Sequence, residues 1–242
     1  MGETPIISII VPVWGDDNLA VDLVNRLQTD ANGSNNTTER SGRSRPEHIE
    51  WIVVAVTPTA PLYEMDRCGA IRLIACQEPS RGRQMNLGAQ TAHGKLLCFH
   101  HADSKLEPEH LLALKRVAAD DSIIGGAFHR RFYPPRMMWR EPIVRWLNRT
   151  GGPLFGDQSI FVRKSVFSDL GGFAEIPLME DVEFSRRLRR QGRIALLDPP
   201  LWSPPARKGT WKIFFRNTGL VALFSLGVTP HRLHRWYYRG RQ

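Results

Sequence analysis

Short apolar runs and stretches of helical spacing alternate along the first half of the chain. Four runs rich in Ile, Val and Leu predict buried strands at residues 6–13, 49–56, 71–75 and 96–100. Between them, the leucines at 19, 23 and 27 have helical spacing. Helices are predicted at about residues 17–28 and 108–119, and a loop at Arg81 is predicted to lead into a helix that reaches about residue 92. This alternation predicts an α/β fold with a mostly parallel, doubly wound sheet.

The second half is less regular but still indicates a single domain. Strands are predicted at residues 123–132, 159–162 and 194–197, and helices at 134–149 and 180–191. The proline-rich segment 198–205 is predicted to connect to the C-terminal tail. Residues 29–47 show no hydrophobic period and are predicted to be a mobile insertion. We therefore expect one domain over residues 1–206 and a helical tail over residues 207–242.

The positive charge of the chain is concentrated in this tail. The formal net charge is +9, and eight Lys and Arg residues lie beyond Pro199 without a single Asp or Glu. Residues 211–226 have apolar side chains at helical spacing, but spanning a bilayer takes ~20 apolar residues. Two interpretations stay open: a helix on an anionic membrane surface, with Trp236, Tyr237 and Tyr238 at the headgroups, or a helix that covers the protein itself. Nucleic acid is not expected, because no recognition motif accompanies the charge.

Several classes of protein are excluded by what the sequence lacks. The first strand ends in Pro12-Val13-Trp14-Gly15 instead of a Gly-x-Gly-x-x-Gly loop, which argues against a dinucleotide-binding oxidoreductase. No Gly-Lys-Ser/Thr motif is present, so a P-loop NTPase is excluded. The three cysteines lack the spacing of a metal site and no signal peptide is visible, so we expect a reducing, cytoplasmic location.

Candidate chemistry begins at the end of the fourth predicted strand. His101 and Asp103 follow its apolar run, at the carboxyl end where open α/β sheets bind ligands. A carboxylate oxygen suits Mg²⁺ or Mn²⁺ and an imidazole nitrogen suits Mn²⁺, so these two residues are predicted metal ligands. Arg81 and Arg83 lie just before the preceding helix, whose first residues are predicted at 84–87, and guanidinium groups at a helix start predict an anion site. The structural alternatives are a turn cap at Asp103 and two solvated arginines.

Two further candidate segments lie in the second half. Glu180 and Asp181 begin a helix whose other end is basic, a charge arrangement that already fits the helix dipole. Asp181 also lies near the apolar face of that helix, so it is a candidate general base at the rim of the core. The glycine-rich loop that contains Gly156, Asp157 and Gln158 is either a close approach to a ligand or a simple turn.

Taken in order, these motifs resemble the family 2 glycosyltransferases, inverting enzymes with the GT-A fold, and within them the selenodomain-associated transferases. The matching segments are Ser8-Ile9-Ile10-Val11-Pro12-Val13, Arg81-Gly82-Arg83-Gln84-Met85-Asn86-Leu87-Gly88-Ala89, His101-Ala102-Asp103-Ser104, Gly156-Asp157-Gln158-Ser159-Ile160-Phe161-Val162-Arg163, Gly171-Gly172-Phe173 and Met179-Glu180-Asp181. They lie between about residues 6 and 217. The resemblance implies a nucleotide-sugar donor and a divalent metal, Mn²⁺ or Mg²⁺.

The resemblance also implies roles residue by residue. Asp103 matches the metal-binding Asp of the Asp-x-Asp motif, and Asp181 matches the catalytic base of the Glu-Asp pair. Asp16 takes the place of the acid after the first strand that contacts the nucleotide. The other implied nucleotide contacts are Pro12, Trp14, Arg81, Arg83, Asn86 and Ala102. Glu180 and the loop of Gly156, Asp157 and Gln158 are candidates for the acceptor side.

Three positions depart from the family pattern. His101 replaces the first Asp of Asp-x-Asp, and Trp14-Gly15 replaces an aliphatic residue and Asn. Ala55 stands near the end of the second strand, where the family usually has an Asp that reads the nucleobase. No Gln-x-x-Arg-Trp motif is present, so a processive polysaccharide synthase is not expected.

The leading hypothesis is therefore a metal-assisted inverting glycosyltransferase that acts on an acceptor hydroxyl. A lipid-linked acceptor would suit a tail bound to the inner face of the cell membrane. The alternatives are a nucleotidyltransferase on a similar sheet and a nucleotide-sugar-binding module that has lost catalysis.

Overall fold

A computed structural model describes residues 6–15, 17–33, 49–132, 142, 145–146, 150–203 and 211–239 of the chain. Within these residues, seven strands form one sheet in the spatial order β3-β2-β1-β4-β6-β5-β7. The strands are β1 (Ile7–Trp14), β2 (Ile49–Val56), β3 (Arg72–Cys76), β4 (Leu96–Phe99), β5 (Gly125–Phe132), β6 (Ile160–Arg163) and β7 (Ile194–Ser203).

The sheet is mostly parallel, as the sequence predicts. β1 pairs in parallel with β2 and β4, β2 with β3, and β5 with β7. The exception is β6, which runs antiparallel to both β4 and β5. Strands β1, β2 and β4 are almost continuously buried, which explains their unbroken runs of Ile, Val and Leu. The predicted α/β fold with a mostly parallel sheet is confirmed.

Helices cover both faces of the sheet. They are α1 (Asp17–Gly33), α2 (Ala60–Arg67), α3 (Arg81–Thr91), α4 (Pro108–Ala118), α5 (Lys164–Asp169), α6 (Glu180–Gln191), α7 (Trp211–Ser225) and α8 (Pro230–Tyr238). One apolar cluster joins α1, α2 and α4 to one face of the sheet, and a second joins α3, α5 and α6 to the other. Alternate residues of β1 and β2 contribute to the two clusters, because side chains alternate across a strand.

The close contact between α3 and the sheet depends on a glycine. A Cβ atom added at Gly88 would lie only 2.4 Å from Cγ2 of Ile10 and 3.1 Å from Cγ2 of Val54. Any larger residue would push α3 away from β1 and β2. Since Arg81 begins this helix, Gly88 also sets how close the predicted anion site lies to the ends of those strands.

The structure differs from the sequence predictions at several boundaries. Helix α1 continues to Gly33, five residues into the predicted insertion, and residues 34–48 lie outside the described part. The predicted helix at 134–149 also lies almost entirely outside it. The prediction of a connection at 198–205 was wrong over 198–203, because β7 runs on to Ser203. Prolines are tolerated there since β7 is the last strand of the sheet order, where one side needs no ladder hydrogen bonds.

The two C-terminal helices pack against the domain. Leu220 of α7 and Leu233 of α8 form a third apolar cluster with Met179 and Val182, around the start of α6. None of the helices within the described residues is both long and apolar enough to cross a membrane. One face of the tail therefore covers the protein itself, and its contact is with α6.

At the end of the sheet where β1 begins, the partly buried acid Glu50 joins three segments of the chain. The Ser8 hydroxyl donates to Oε2 of Glu50 at 2.6 Å, and the His93 amide donates to the same oxygen at 2.8 Å. The Arg72 guanidinium lies 3.6 Å from the other carboxylate oxygen. Burial raises the pKa of Glu50, but the His93 amide, the Ser8 hydroxyl and the His93 ring together lower it by more, so the pKa lies below its ordinary value.

We expect Glu50→Gln to lower the free energy of unfolding by about 1–3 kcal/mol at neutral pH, the scale for hydrogen bonds to charged groups. The folded-state pKa of Glu50 is below the unfolded one, so its contribution is present above the unfolded pKa and is lost as pH falls through the folded value. Urea unfolding at neutral pH and at pH about 3 measures this difference. Glu64→Gln, on the exposed face of α2, is the control. If the difference in unfolding free energy between the parent and Glu50→Gln were the same at both pH values, that result would contradict stabilisation by the Glu50 carboxylate.

Candidate functional site

Four chain segments meet at the carboxyl end of β4. Because β6 is antiparallel to β4, with Ile160 opposite Phe99, the residues before β6 lie beside those after β4. A hydrogen bond of 2.6 Å between Nδ1 of His100 and Oγ of Ser159 fixes this junction. The starts of α3 and α6 complete the site. The structure thereby brings together His101, Gly156, Arg81, Glu180 and Asp181, which lie far apart in the sequence.

The Asp181 carboxylate is held by backbone amides. The Gly156 amide donates to Oδ2 at 2.7 Å, and the Val182 amide donates to Oδ1 at 2.7 Å. Burial raises the pKa of Asp181, whereas these two amides and the charge of Arg81 lower it, and the net pKa lies above the ordinary value. The carboxylate is thus fixed in orientation and is a stronger base than an exposed aspartate.

Glu180 is the more deeply buried acid of the pair. Its exposed fraction is 5%, and its Oε1 lies 3.7 Å from Nη1 of Arg81. Burial, followed by the charge of Asp181, raises the pKa of Glu180 to about 7, although Arg81 acts to lower it. Neighbouring carboxylates repel, so the ionisation of each acid opposes the ionisation of the other. Arg81 thus links the starts of α3 and α6.

His101 presents a buried nitrogen to the same space. Among the described residues, no group forms a hydrogen bond with its Nε2. Burial, followed by the charge of Arg81, holds the pKa of His101 well below its ordinary value, so the ring is neutral. A Cβ at Gly156 would lie 2.8 Å from this nitrogen and 3.6 Å from Oδ2 of Asp181. The glycine thus keeps open the gap between the predicted metal ligand and the candidate base.

The metal prediction fits the residues in part. An unpartnered neutral imidazole is a suitable ligand, and Asp103 is an exposed carboxylate in the turn that follows β4. In the part of the chain that is described, no three His, Cys, Asp or Glu side chains come together as metal ligands do. Two protein ligands are nevertheless enough for Mg²⁺ or Mn²⁺ where substrate phosphates supply the remaining oxygens.

The other predicted site residues have contacts of their own. The Arg83 guanidinium binds Glu78 at 3.0 Å on the surface. The Asn86 amide donates to the Phe173 carbonyl at 2.9 Å and accepts from the Phe173 amide at 2.8 Å, so it holds the loop before α6. Trp14 is 67% exposed at the end of β1.

Three of the remaining residues occupy buried or partly buried positions. Pro12 lies within β1, and Ala102 is partly buried next to His101. Gln158 is buried, and its side-chain amide donates to the Phe128 carbonyl at 3.0 Å, which fixes the turn that presents Gly156. Asp16 lies outside the described residues.

The sequence analysis missed two residues at the site. The buried Gln84 amide donates to the carbonyls of Val13 at 2.9 Å and Val54 at 2.8 Å, and so ties together the carboxyl ends of β1 and β2. Its only signal was its place inside the segment 81–89. Arg130 forms an ion pair with Asp157 and lies 5.7 Å over the Phe155 ring. No local pattern identifies Arg130, because its partners lie more than 20 residues away.

Comparison with known proteins identifies the fold. No protein-family model and no curated protein sequence matches the chain. The mannosyltransferase PcManGT from Pyrobaculum calidifontis, in complex with GDP-Man and Mn²⁺, is similar over 98% of this chain and 70% of its own, with a TM-score of 0.65 and 16% identity. S. aureus TarS is similar over 90% of this chain, with a TM-score of 0.55 and 15% identity.

This chain spans only 39% of the length of TarS. TarS 1–349, in complex with UDP-GlcNAc, has the same TM-score and identity, with 65% of its own length covered. At such low identities the likeness shows the fold alone. The chain has a glycosyltransferase fold of the GT-A type.

The repulsion between the two site acids can be measured directly. We expect Asp181→Asn to lower the pKa of Glu180 from about 7, because the substitution removes a negative neighbour. Arg81→Gln should raise it, because the substitution removes the positive charge that favours the carboxylate. Carboxyl ¹³C chemical shifts followed against pH report both values. Equal pKa values of Glu180 in the parent and in Asp181→Asn would contradict the arrangement.

Proposed function

We propose that this protein is an inverting glycosyltransferase that moves a sugar from a nucleotide-diphosphate donor to an acceptor hydroxyl. The observation that carries the proposal is the Asp181 carboxylate, fixed by two backbone amides beside Arg81 and His101 at the carboxyl end of β4. Two proteins with this fold support it, because PcManGT is bound to GDP-Man and TarS 1–349 to UDP-GlcNAc. The order of the motifs supports membership of glycosyltransferase family 2.

In the proposed reaction, Asp181 accepts the proton of the acceptor hydroxyl. The acceptor oxygen forms a bond to the anomeric carbon while the bond from that carbon to the phosphate oxygen breaks. The nucleoside diphosphate leaves with the electron pair, and this single displacement inverts the anomeric centre. The raised pKa of Asp181 suits a base that works near neutral pH, and the two amides fix the orientation of its carboxylate.

The leaving diphosphate requires positive charge. Arg81 supplies positive charge at the site, and its charge acts on Glu180, Asp181 and His101. His101 and Asp103 would hold a divalent ion, Mn²⁺ or Mg²⁺, which when bound neutralises charge on the diphosphate. Arg83, Pro12, Trp14, Asp16, Asn86 and Ala102 are the further proposed contacts on the donor side. The exposed Trp14 ring offers a stacking surface for a nucleobase where Ala55 supplies no hydrogen bond.

We expect Asp181→Asn to bind nucleotide as the parent does but to transfer sugar at least ~100-fold more slowly, the scale for removal of a general base. Calorimetry with UDP and GDP measures binding, and release of nucleoside diphosphate from a panel of sugar nucleotides measures transfer. Asp169→Asn, which changes an exposed acid at the end of α5, is the control. Transfer at the parental rate by Asp181→Asn would disprove the assignment of the base.

The same assays separate the alternatives and test the metal. Release of pyrophosphate from a nucleoside triphosphate would indicate a nucleotidyltransferase, and binding without turnover would indicate a binding module. Nucleotide binding should tighten with Mn²⁺, and Asp103→Asn should remove that effect. If the nucleotide affinity of the parent were the same with and without Mn²⁺, that result would count against metal ligation by His101 and Asp103.

We propose further that the outer face of the C-terminal helices binds an anionic membrane surface, where a lipid-linked acceptor would meet the site. The exposed fractions of Phe215, Leu226, Trp236 and Tyr238 are 62, 81, 40 and 44%. Cationic side chains accompany these apolar ones, since the Arg232 guanidinium lies 5.6 Å over the Trp236 ring. With no acid from residue 199 onward, the charge complements anionic headgroups. The proposed location is peripheral, on the cytoplasmic side.

Full-length protein should co-sediment with phosphatidylglycerol vesicles at low salt but not with phosphatidylcholine vesicles. Each arginine near an anionic surface adds ~1 kcal/mol, so the double change Arg232→Gln and Arg235→Gln should weaken binding at least ~10-fold. Arg67→Gln with Arg116→Gln removes the same charge from exposed positions on α2 and α4 and is the control. Equal loss in both double variants would show a general charge effect, and no pelleting of the parent would rule the membrane surface out.

A further inference from the structure

The inner face of the C-terminal helices packs where the candidate base begins its helix. The third apolar cluster contains Leu220 of α7 and Leu233 of α8, which are 5% and 0% exposed. Their buried partners are Met179 and Val182, the residues that lie on either side of the Glu180-Asp181 pair. Phe155, which directly precedes Gly156, is packed against the same cluster.

These partners include or adjoin the residues whose backbone amides hold the Asp181 carboxylate. Both amides that hold it come from this region: one belongs to Val182, and the other to Gly156, the neighbour of Phe155. A shift of Val182 or Phe155 would therefore move a hydrogen-bond donor of the carboxylate. Among the described residues, no other backbone amide donates a hydrogen bond to this carboxylate.

Two more observations tie the helix pair to α6. Met179 has a φ of 73°, in the left-handed region that non-glycine residues seldom adopt, and such a conformation persists only where packing holds it. Arg186, further along α6, bonds to the Ser225 hydroxyl of α7 and lies 5.1 Å over the Phe224 ring. The start of α6 is thus held from outside by α7 and α8.

We propose that α7 and α8 act as a positioning element for the candidate base, with Leu220 and Leu233 as positioning residues that fix the Gly156 and Val182 amides around Asp181. The inference rests on the proposed function. It assigns to the C-terminal helices a role in the transfer step that is separate from donor binding. The donor-side residues Arg81 and Trp14 lie on α3 and β1, outside the third cluster.

The test is Leu233→Ala in the full-length protein. We expect kcat to fall at least ~10-fold, while the donor KM and the affinity for nucleoside diphosphate stay within ~2-fold of the parental values. Hydrogen exchange of the Gly156 and Val182 amides should accelerate, whereas exchange in β1 and β2 should not. Leu233→Met, which refills the space with a flexible apolar side chain, should restore most of kcat.

Leu112→Ala removes the same atoms from a leucine that is 53% exposed on α4, and it is the matched control. If Leu233→Ala does not fold, Leu220→Val makes a smaller change in the same cluster. Parental kcat together with accelerated exchange would overturn the proposal, and so would a loss of donor affinity in proportion to kcat. If the parent transfers no sugar, the proposed function fails, but unchanged amide exchange in the variants would still reject the positioning role separately.

Discussion

The antiparallel pairing of β6 with β4 is the constraint on which the site depends. A parallel strand at this place would carry its loop to the other end of the sheet, away from His101. The antiparallel direction instead sets the turn at Gly156 against the end of β4, with Ile160 opposite Phe99. The Gly156 amide then reaches Asp181, and the absent side chain leaves space beside Nε2 of His101. One strand direction thus joins the two halves of the domain into one site.

The fold brings the charges of Glu180, Asp181 and Arg81 close together, and this proximity sets the electrostatics of the site. Two neighbouring acids, one partly and one deeply buried, face a single guanidinium from α3, and burial outweighs its attraction at both carboxyl groups. The pKa of each acid is raised, which is the expected state of a carboxylate that takes and returns protons near neutral pH. An ion pair between Arg81 and Glu180 also connects the proposed donor side to the helix that carries Asp181. The arrangement is costly for folding alone, since buried like charges repel.

The C-terminal helices have two faces with different chemistry. Their inner face is apolar and packs on Met179 and Val182, while their outer face exposes aromatic rings beside arginines. The sequence left a choice between packing on the protein and binding a membrane. The packing is present in the structure, and the membrane surface is a proposal about the face that stays exposed. The two interpretations therefore concern opposite sides of the same helices.

The sequence by itself determined the α/β order, the buried strands β1, β2 and β4, and the bounds of α6, and it indicated the separate segments that carry the candidate residues. These features are local, because apolar periodicity, or a carboxylate after a buried strand, can be recognised in a segment of about ten residues. Only the tertiary structure decided that β7 continues through its prolines, that Asn86 is bound to the Phe173 backbone, and that the tail packs beside Asp181. Each depends on a partner more than 20 residues away, and no local pattern records which distant group will satisfy a hydrogen bond or cover an apolar face.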